Sequence, residues 1–150
     1  MATVANRVLV LNGPNLNLLG EREPQVYGTA TLANHMDAAT SQAAELGLLL
    51  ESTQSNSSAE IVNAIHSARG VYDAIIINPG AFTHYAWSIH DALAAFSGPV
   101  VEVHLSNPGT REVWRHQSVI APVASGTIAG FGGNSYVLAV QAVARLLATK

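Results

Sequence analysis

Glu102, His104 and Ser106 recur at every second position of the stretch PVVEVHLSNPGTREVWRHQS, residues 99–118. Period two puts all three side chains on one face of a strand. The strand's other residues, Val100, Val101, Val103 and Leu105, are apolar and mostly β-branched. A strand enclosed on both faces of a parallel sheet reads as apolar nearly throughout. A carboxylate and an imidazole in that setting are costly unless paired, and at this spacing they can pair with each other. A carboxylate that fixes the tautomer of an imidazole suits a general acid or base. The chain then breaks at Asn107-Pro108-Gly109, and Arg111 and Arg115 follow four residues apart. Carboxylate, imidazole, hydroxyl and two guanidiniums in so short a span describe a site for an anion. An edge strand with a merely wet polar face is the competing reading of the same pattern.

The remaining candidates sit at two other strand ends and in one loop. Asn12-Gly13-Pro14 and Asn78-Pro79-Gly80 repeat the punctuation of Asn107-Pro108-Gly109. Asparagine enters turns for backbone reasons alone, so Asn15 and Asn78 gain meaning only by converging with His84, His104, Ser106, Arg111 and Arg115. The segment Asn17–Thr29 has no sustained period and carries Arg22 and Tyr27 between Gly20 and Gly28. It reads as a mobile functional loop hinged at its glycines, although Tyr27 also reads as an ordinary packing aromatic. His84, at the start of an expected helix, reads equally as a cap-like packing residue. His35, His66, His90 and His116 fall on surface patterns with no chemistry assigned. His84, His104 and Glu102 are enough ligands for zinc, but no HxH or HExxH spacing accompanies them. A phosphate-binding module is the rival class. The first turn, NGPNLNLLG, carries neither GxGxxG nor GxxxxGK[ST], and only Gly130, Gly132 and Gly133 offer a weak substitute.

Composition narrows the chemistry further. The 150 residues fit a single catalytic domain spanning 1–150 with room for a core. They are 49% hydrophobic and only 11% charged, a balance that favours self-association. A net charge of −3 without basic runs argues against nucleic acid as a partner. The absence of cysteine removes disulfides, thiol nucleophiles and zinc–thiolate sites. No apolar run approaches the ~20 residues of a membrane span, and MATVANR has no signal-peptide pattern, so the expected location is cytoplasmic. The only lysine is Lys150, where a frayed terminus is expected. Without an interior lysine there is no Schiff base and no pyridoxal site, so carbonyl chemistry here must be acid–base chemistry.

The elements that position these groups alternate. Arg7–Leu11, Leu48–Ser52, Ala74–Ile77, Pro99–Leu105 and a weak Gly126–Phe131 read as strands. Helices are expected over Thr31–Leu46, from Ser57 or Ser58 to about Ala68, from about His84 to Phe96, and over Ser135–Leu147. The crossover through Arg111–Ser118 offers at most a short helix. Strand and helix alternating five times imply an α/β fold, a parallel sheet with helices on both faces in a three-layer sandwich. For five strands the expected order is the flavodoxin-like 2-1-3-4-5. All strand carboxyl ends then share one edge, where open α/β sheets bind ligands.

Four separated motifs, NGPNLNLLGEREPQVYG, INPGAFTH, EVHLSN and REVWRHQS, in this order and spacing, resemble the type II 3-dehydroquinate dehydratases from about Val8 to Leu147. The resemblance implies a flavodoxin-like fold, a homo-oligomer built as a dodecamer from trimers, and no metal or cofactor. It implies the conversion of 3-dehydroquinate to 3-dehydroshikimate in the shikimate pathway by anti elimination of water through an enolate. The lone terminal lysine agrees, because the unrelated type I enzymes need a Schiff-base lysine. By motif, Tyr27 is the base that takes a proton α to the ketone. A phenol, with an ordinary pKa of about 10, needs a cation nearby for that task, and Arg22 matches the family's arginine in that role. Asn15 matches the residue that holds a water on the enolate. His104, oriented by Glu102, protonates the departing hydroxyl. Asn78, His84, Ser106 and the backbone at Leu105 match substrate-hydroxyl positions, and Arg115 matches the carboxylate clamp, with Arg111 behind it. Asp91 matches an aspartate that reaches a neighbouring subunit's site. Phe82 in place of tyrosine, His90 in place of arginine and Val119 in place of an aromatic depart from the family pattern, with trimer contacts the property most exposed to change.

Overall fold

The computed structural model describes residues 4–149, so Lys150 and the first three residues of MATVANR lie outside the described residues. Five strands, β1 (Arg7–Asn12), β2 (Leu49–Gln54), β3 (Ala74–Asn78), β4 (Val100–His104) and β5 (Gly126–Ala129), form one sheet in the order β2-β1-β3-β4-β5. Every neighbouring pair is parallel. The helices are α1 (Pro24–Tyr27), α2 (Leu32–Glu45), α3 (Ser58–Ala68), α4 (Trp87–Ala94) and α5 (Asn134–Ala148).

Strand parity divides the core. Val8, Val10, Ile76, Val101 and Val103 meet Met36, Ala39 and Ala43 of α2 and Ala139, Val140 and Val143 of α5. Leu9, Leu11, Ile75, Ile77 and Val100 meet Ile61 and Ile65 of α3 and Ile89 and Leu93 of α4. The three isoleucines of β3 are fully buried and contribute about 2 kcal/mol each by area removed from water. They fix the centre of the sheet, and with it the edge at which β1, β3 and β4 end. The expected three-layer flavodoxin-like arrangement is the one found.

Local chemistry sets most boundaries. Thr31 and Asn34 form a reciprocal capping box at the start of α2, and Ser57 accepts from Glu60 N–H at the start of α3. Three expectations differ. The helix expected from His84 begins only at Trp87. His84 instead closes a 3-10 turn, Gly80–His84, because Tyr85 (φ −154°) and Ala86 (ψ 79°) leave helical geometry. The crossover after β4 carries three 3-10 turns, at Pro108–Thr110, Val113–Arg115 and Ala121–Val123, in place of one short helix. The segment 17–29 is built from a 3-10 turn, Leu16–Leu18, and the single turn of α1. Glu23 (φ 40°) and Gly28 (φ 81°) bracket that turn in left-handed conformations. No described helix is long and apolar enough to cross a membrane.

Candidate active site

At the carboxyl edge of β1, β3 and β4, a cavity of about 180 Å³ is lined by nine of the eleven expected residues: Asn15, Arg22, Tyr27, Asn78, His84, His104, Leu105, Ser106 and Arg115. Arg111 and Trp114 complete the polar and aromatic wall. A wider cleft of about 610 Å³ lies beyond Tyr27 and shares Tyr27, Leu105, Ser106 and Arg111 with the first.

Glu102 is fully buried, yet three donors converge on its carboxylate: Thr83 Oγ1, Ser118 Oγ at 2.9 and 3.0 Å, and His104 Nε2 at 2.6 Å. Ser118 Oγ accepts the backbone N–H groups of Ile120 at 3.0 Å and Ala121 at 2.9 Å, donates to Glu102, and lies 2.7 Å from Thr83 Oγ1. Burial pushes the Glu102 carboxyl up, but the bonds from His104, Thr83 and Ser118 outweigh it and hold the group below its ordinary range. An ionised Glu102 accepts only, so His104 presents Nε2–H to it and Nδ1 is left for a ligand. This is the pairing expected from the period-two face, here with a hydroxyl on each side of it.

Tyr27 ends α1. Arg111 Nη1 donates to its phenol oxygen at 2.8 Å and to Ser106 Oγ at 3.3 Å. The guanidinium carbons of Arg22 and Arg111 lie 5.1 and 5.3 Å from the centre of its ring. Two cations therefore flank one phenol, the expected Arg22 beside its ring and Arg111 on its oxygen.

The opposite wall is held by aromatic contacts. Arg115 sits with its guanidinium carbon 4.0 Å from the Trp114 ring centre and pairs through Nε with Glu112. The His84 ring stands edge-on to Trp114 at 5.2 Å. His84 Nδ1 lies 2.8 Å from the Gln117 carbonyl, which can only accept, so Nδ1 carries the proton and Nε2 is left for a ligand. Asn78 is buried, its Nδ2 donating to Tyr136 Oη at 2.9 Å and its Oδ1 accepting from Gly80 N–H at 3.2 Å. Asn15 adopts φ 67°, a left-handed conformation asparagine tolerates, and its carboxamide has no hydrogen-bond partner among the described residues. Leu105 commits its carbonyl to Gly132 N–H at 3.0 Å.

Asp91 does not join this cavity; it is exposed on α4. His35, expected on a surface, is instead buried, with Nε2 unpartnered and its ring 5.8 Å from that of Tyr136. His90 is half-buried, its Nδ1 2.6 Å from the Val119 carbonyl. Phe82 and Val119 are core residues on the α3–α4 side of the sheet, so both departures from the family pattern fall on packing positions. Among the described residues no three His, Asp or Glu side chains converge as a metal-ligand set. Thr83, Ser118 and Tyr136 escaped the sequence reading. Thr83 and Ser118 sit inside INPGAFTH and REVWRHQS, but no spacing rule singles them out.

The dehydroquinase class II family model matches residues 6–144. A 3-dehydroquinate dehydratase of Desulforudis audaxviator is 54% identical over 142 residues, 94% of this chain and 94% of its own length. A catabolic 3-dehydroquinase of Verticillium alfalfae is 49% identical over 147 residues, 98% of each. The crystal structure of the type II dehydroquinase from Propionibacterium acnes superposes with a TM-score of 0.91 at 42% identity, covering 96% of this chain and 99% of that one. With its sheet order, its strand-end cavity and its near full-length likeness in agreement, the chain belongs to the dehydroquinase class II family.

Proposed function

We propose that this hydro-lyase, a type II 3-dehydroquinate dehydratase, works by two separated proton transfers across the cavity. Tyr27, as phenolate, takes the proton α to the ketone of 3-dehydroquinate, and the electron pair moves into an enolate. Asn15 holds a water against that enolate oxygen. The enolate then collapses, the carbon–oxygen bond to the β hydroxyl breaks, and His104 delivers its Nδ1 proton so that the hydroxyl leaves as water. The products are 3-dehydroshikimate and water. Tyr27 holds one proton more and His104 one fewer, a balance restored through solvent.

The observation that carries this reading is the pairing of opposite electrostatics in one cavity. The base candidate has a guanidinium on its oxygen, where an oxyanion is stabilised. The acid candidate has a buried carboxylate on its far nitrogen, where the imidazolium that donates a proton is stabilised. Arg115 clamps the substrate carboxylate, and Asn78, His84, Ser106 and the Leu105 N–H take its hydroxyls. Both proton transfers are assigned to side chains, so no cofactor is called for. The catalytic unit spans 1–150 and acts in the cytoplasm, within the shikimate pathway.

Asp91, exposed on α4, serves the site of a neighbouring copy, within a dodecamer built from trimers. Exposed Tyr85, Trp87 and Val113 support association by offering apolar surface close to the cavity residues His84 and Trp114. The test of the reaction is direct. Purified protein mixed with 3-dehydroquinate should give a rise in enone ultraviolet absorbance, and borohydride added with substrate should trap no covalent adduct. Inactivation by borohydride would overturn the mechanism.

A further inference from the structure

Tyr136, in the first turn of α5, is 1% exposed and its hydroxyl lies between two asparagines on adjacent strands. It donates to Asn12 Oδ1 at 2.7 Å and accepts from Asn78 Nδ2 at 2.9 Å. Asn12 and Asn78 are register partners at the ends of β1 and β3. Both ends of this chain of bonds are pinned by the backbone. The Thr53 carbonyl, which can only accept, takes Asn12 Nδ2 at 3.3 Å, so Asn12 turns its oxygen to the tyrosine. The Gly80 N–H, which can only donate, meets Asn78 Oδ1 at 3.2 Å, so Asn78 turns its nitrogen to the tyrosine. The single phenol proton satisfies both only by pointing at Asn12. Burial pushes the phenol above its ordinary range and keeps that proton in place.

We propose that Tyr136 is a positioning residue that fixes Asn78 as a hydrogen-bond donor toward the substrate and ties the Gly80 turn to the sheet. The inference rests on the reading of Asn78 as a substrate-hydroxyl residue. With one Nδ2 proton given to Tyr136 and one Oδ1 lone pair taken by Gly80, Asn78 has one further proton to give. Gly80 and Asn78 both line the cavity, so losing the phenol hydroxyl frees the carboxamide to turn and loosens the wall beside it. Tyr136 itself is absent from the cavity lining and acts only through Asn78.

The experiment compares Tyr136→Phe, Asn78→Ala and the double variant with the wild type in two measurements. In the first, the side-chain amide of Asn78, assigned by its disappearance in Asn78→Ala, is followed by hydrogen exchange in nuclear magnetic resonance. Its protected proton should exchange rapidly in Tyr136→Phe. In the second, steady-state kinetics on 3-dehydroquinate should show KM raised about tenfold with kcat within about threefold, the mark of lost uniform binding. The double variant should be no worse in KM than Asn78→Ala alone, because both changes remove one interaction. Unchanged exchange, wild-type KM with only a lowered melting temperature, or additive effects in the double variant would each overturn the proposal. If Tyr136→Phe does not fold, Asn12→Ala, which loosens the phenol that accepts from Asn78, should speed that exchange and raise KM by a smaller factor, and unchanged values of both would overturn the proposal. A wild type that leaves 3-dehydroquinate untouched would sink the reaction assignment. The exchange measurement would still decide whether Tyr136 holds Asn78.

Discussion

Arg111 reaches across 84 positions of sequence to donate from Nη1 to the Tyr27 phenol oxygen at 2.8 Å. The same nitrogen donates to Ser106 Oγ at 3.3 Å, so one guanidinium joins the α1 turn to the end of β4. A cation bonded to the oxygen of the general base acts on the proton transfer, and so on the rate more than on substrate binding. Arg111→Ala should therefore lower kcat on 3-dehydroquinate by about 10²-fold and change KM less. Arg111→Lys should recover only part of the loss, since an ammonium lacks the planar fork. Wild-type kcat in Arg111→Ala would assign the activating cation to Arg22 alone.

Tyr27→Phe keeps the ring that packs against the α2–α5 side of the core and removes only the oxygen. Folding, followed by circular dichroism and melting temperature, should match the wild type. Turnover should fall by about 10²–10⁴-fold, the range for loss of a general base. Persisting turnover would show that Tyr27 is not the base.

Glu102 gives a prediction in pH. Burial raises its carboxyl, but the bonds from His104, Thr83 and Ser118 bring it below the ordinary 4.5. A carboxyl depressed in the folded state stabilises the fold fully above its unfolded value, and that stability is lost as pH falls through the lower folded value. Denaturant midpoints of the wild type should therefore drop on acidification below about 4.5, and those of Glu102→Gln should drop less steeply. At neutral pH the variant should be less stable by about 2 kcal/mol, the scale of hydrogen bonds to a charged group. Parallel acid profiles for the two proteins would mean that Glu102 is not held ionised by its donors.

Much of this site was legible because strand chemistry has a short period. Glu102, His104 and Ser106 announce a shared face by spacing alone, and the three Asn-containing turns mark the strand ends that bring Asn15, Asn78 and Ser106 together. The motif resemblance then separated Tyr27 from an ordinary aromatic, which spacing could not do. What stayed hidden depends on tertiary neighbours. The Arg111–Tyr27 bond spans most of the chain, the burial of His35 follows from the approach of Gly133 and Tyr136, and the Asn12–Tyr136–Asn78 chain crosses from sheet to helix. His84 reads as a helix start in the sequence because Tyr85 and Ala86 break the helix without a glycine or proline to signal it. The 3-10 turns after β4 have no apolar period to detect.

Gly13 supports the site by having no side chain. A Cβ there would lie 2.4 Å from the Pro79 carbonyl oxygen, against a turn that Gly13 N–H holds through the Asn78 carbonyl at 2.8 Å. Gly13→Ala must push Pro79-Gly80 outward. The expected cost is about 1–3 kcal/mol of stability, as for overpacking, together with a rise in KM because Gly80 and Asn78 line the cavity. Unchanged denaturant midpoints would show that the two strand ends can separate freely.

Trp114 offers a separate handle on the carboxylate clamp proposed at Arg115. Its ring carries Arg115 on one face, with the guanidinium carbon 4.0 Å from the centre, and meets His84 edge-on. Held in this way, the Arg115 fork loses less freedom when it pairs with a carboxylate. Trp114→Ala should raise KM about tenfold and leave kcat close to wild type, since the stacking is worth about 0.5–2 kcal/mol. Trp114→Phe should fall between. The chain has only one other tryptophan, Trp87 on α4, so in Trp87→Phe the fluorescence reports on Trp114 alone. Quinate-like acids that fill the clamp should change that emission in a saturable way, and an unresponsive signal would separate Trp114 from substrate binding.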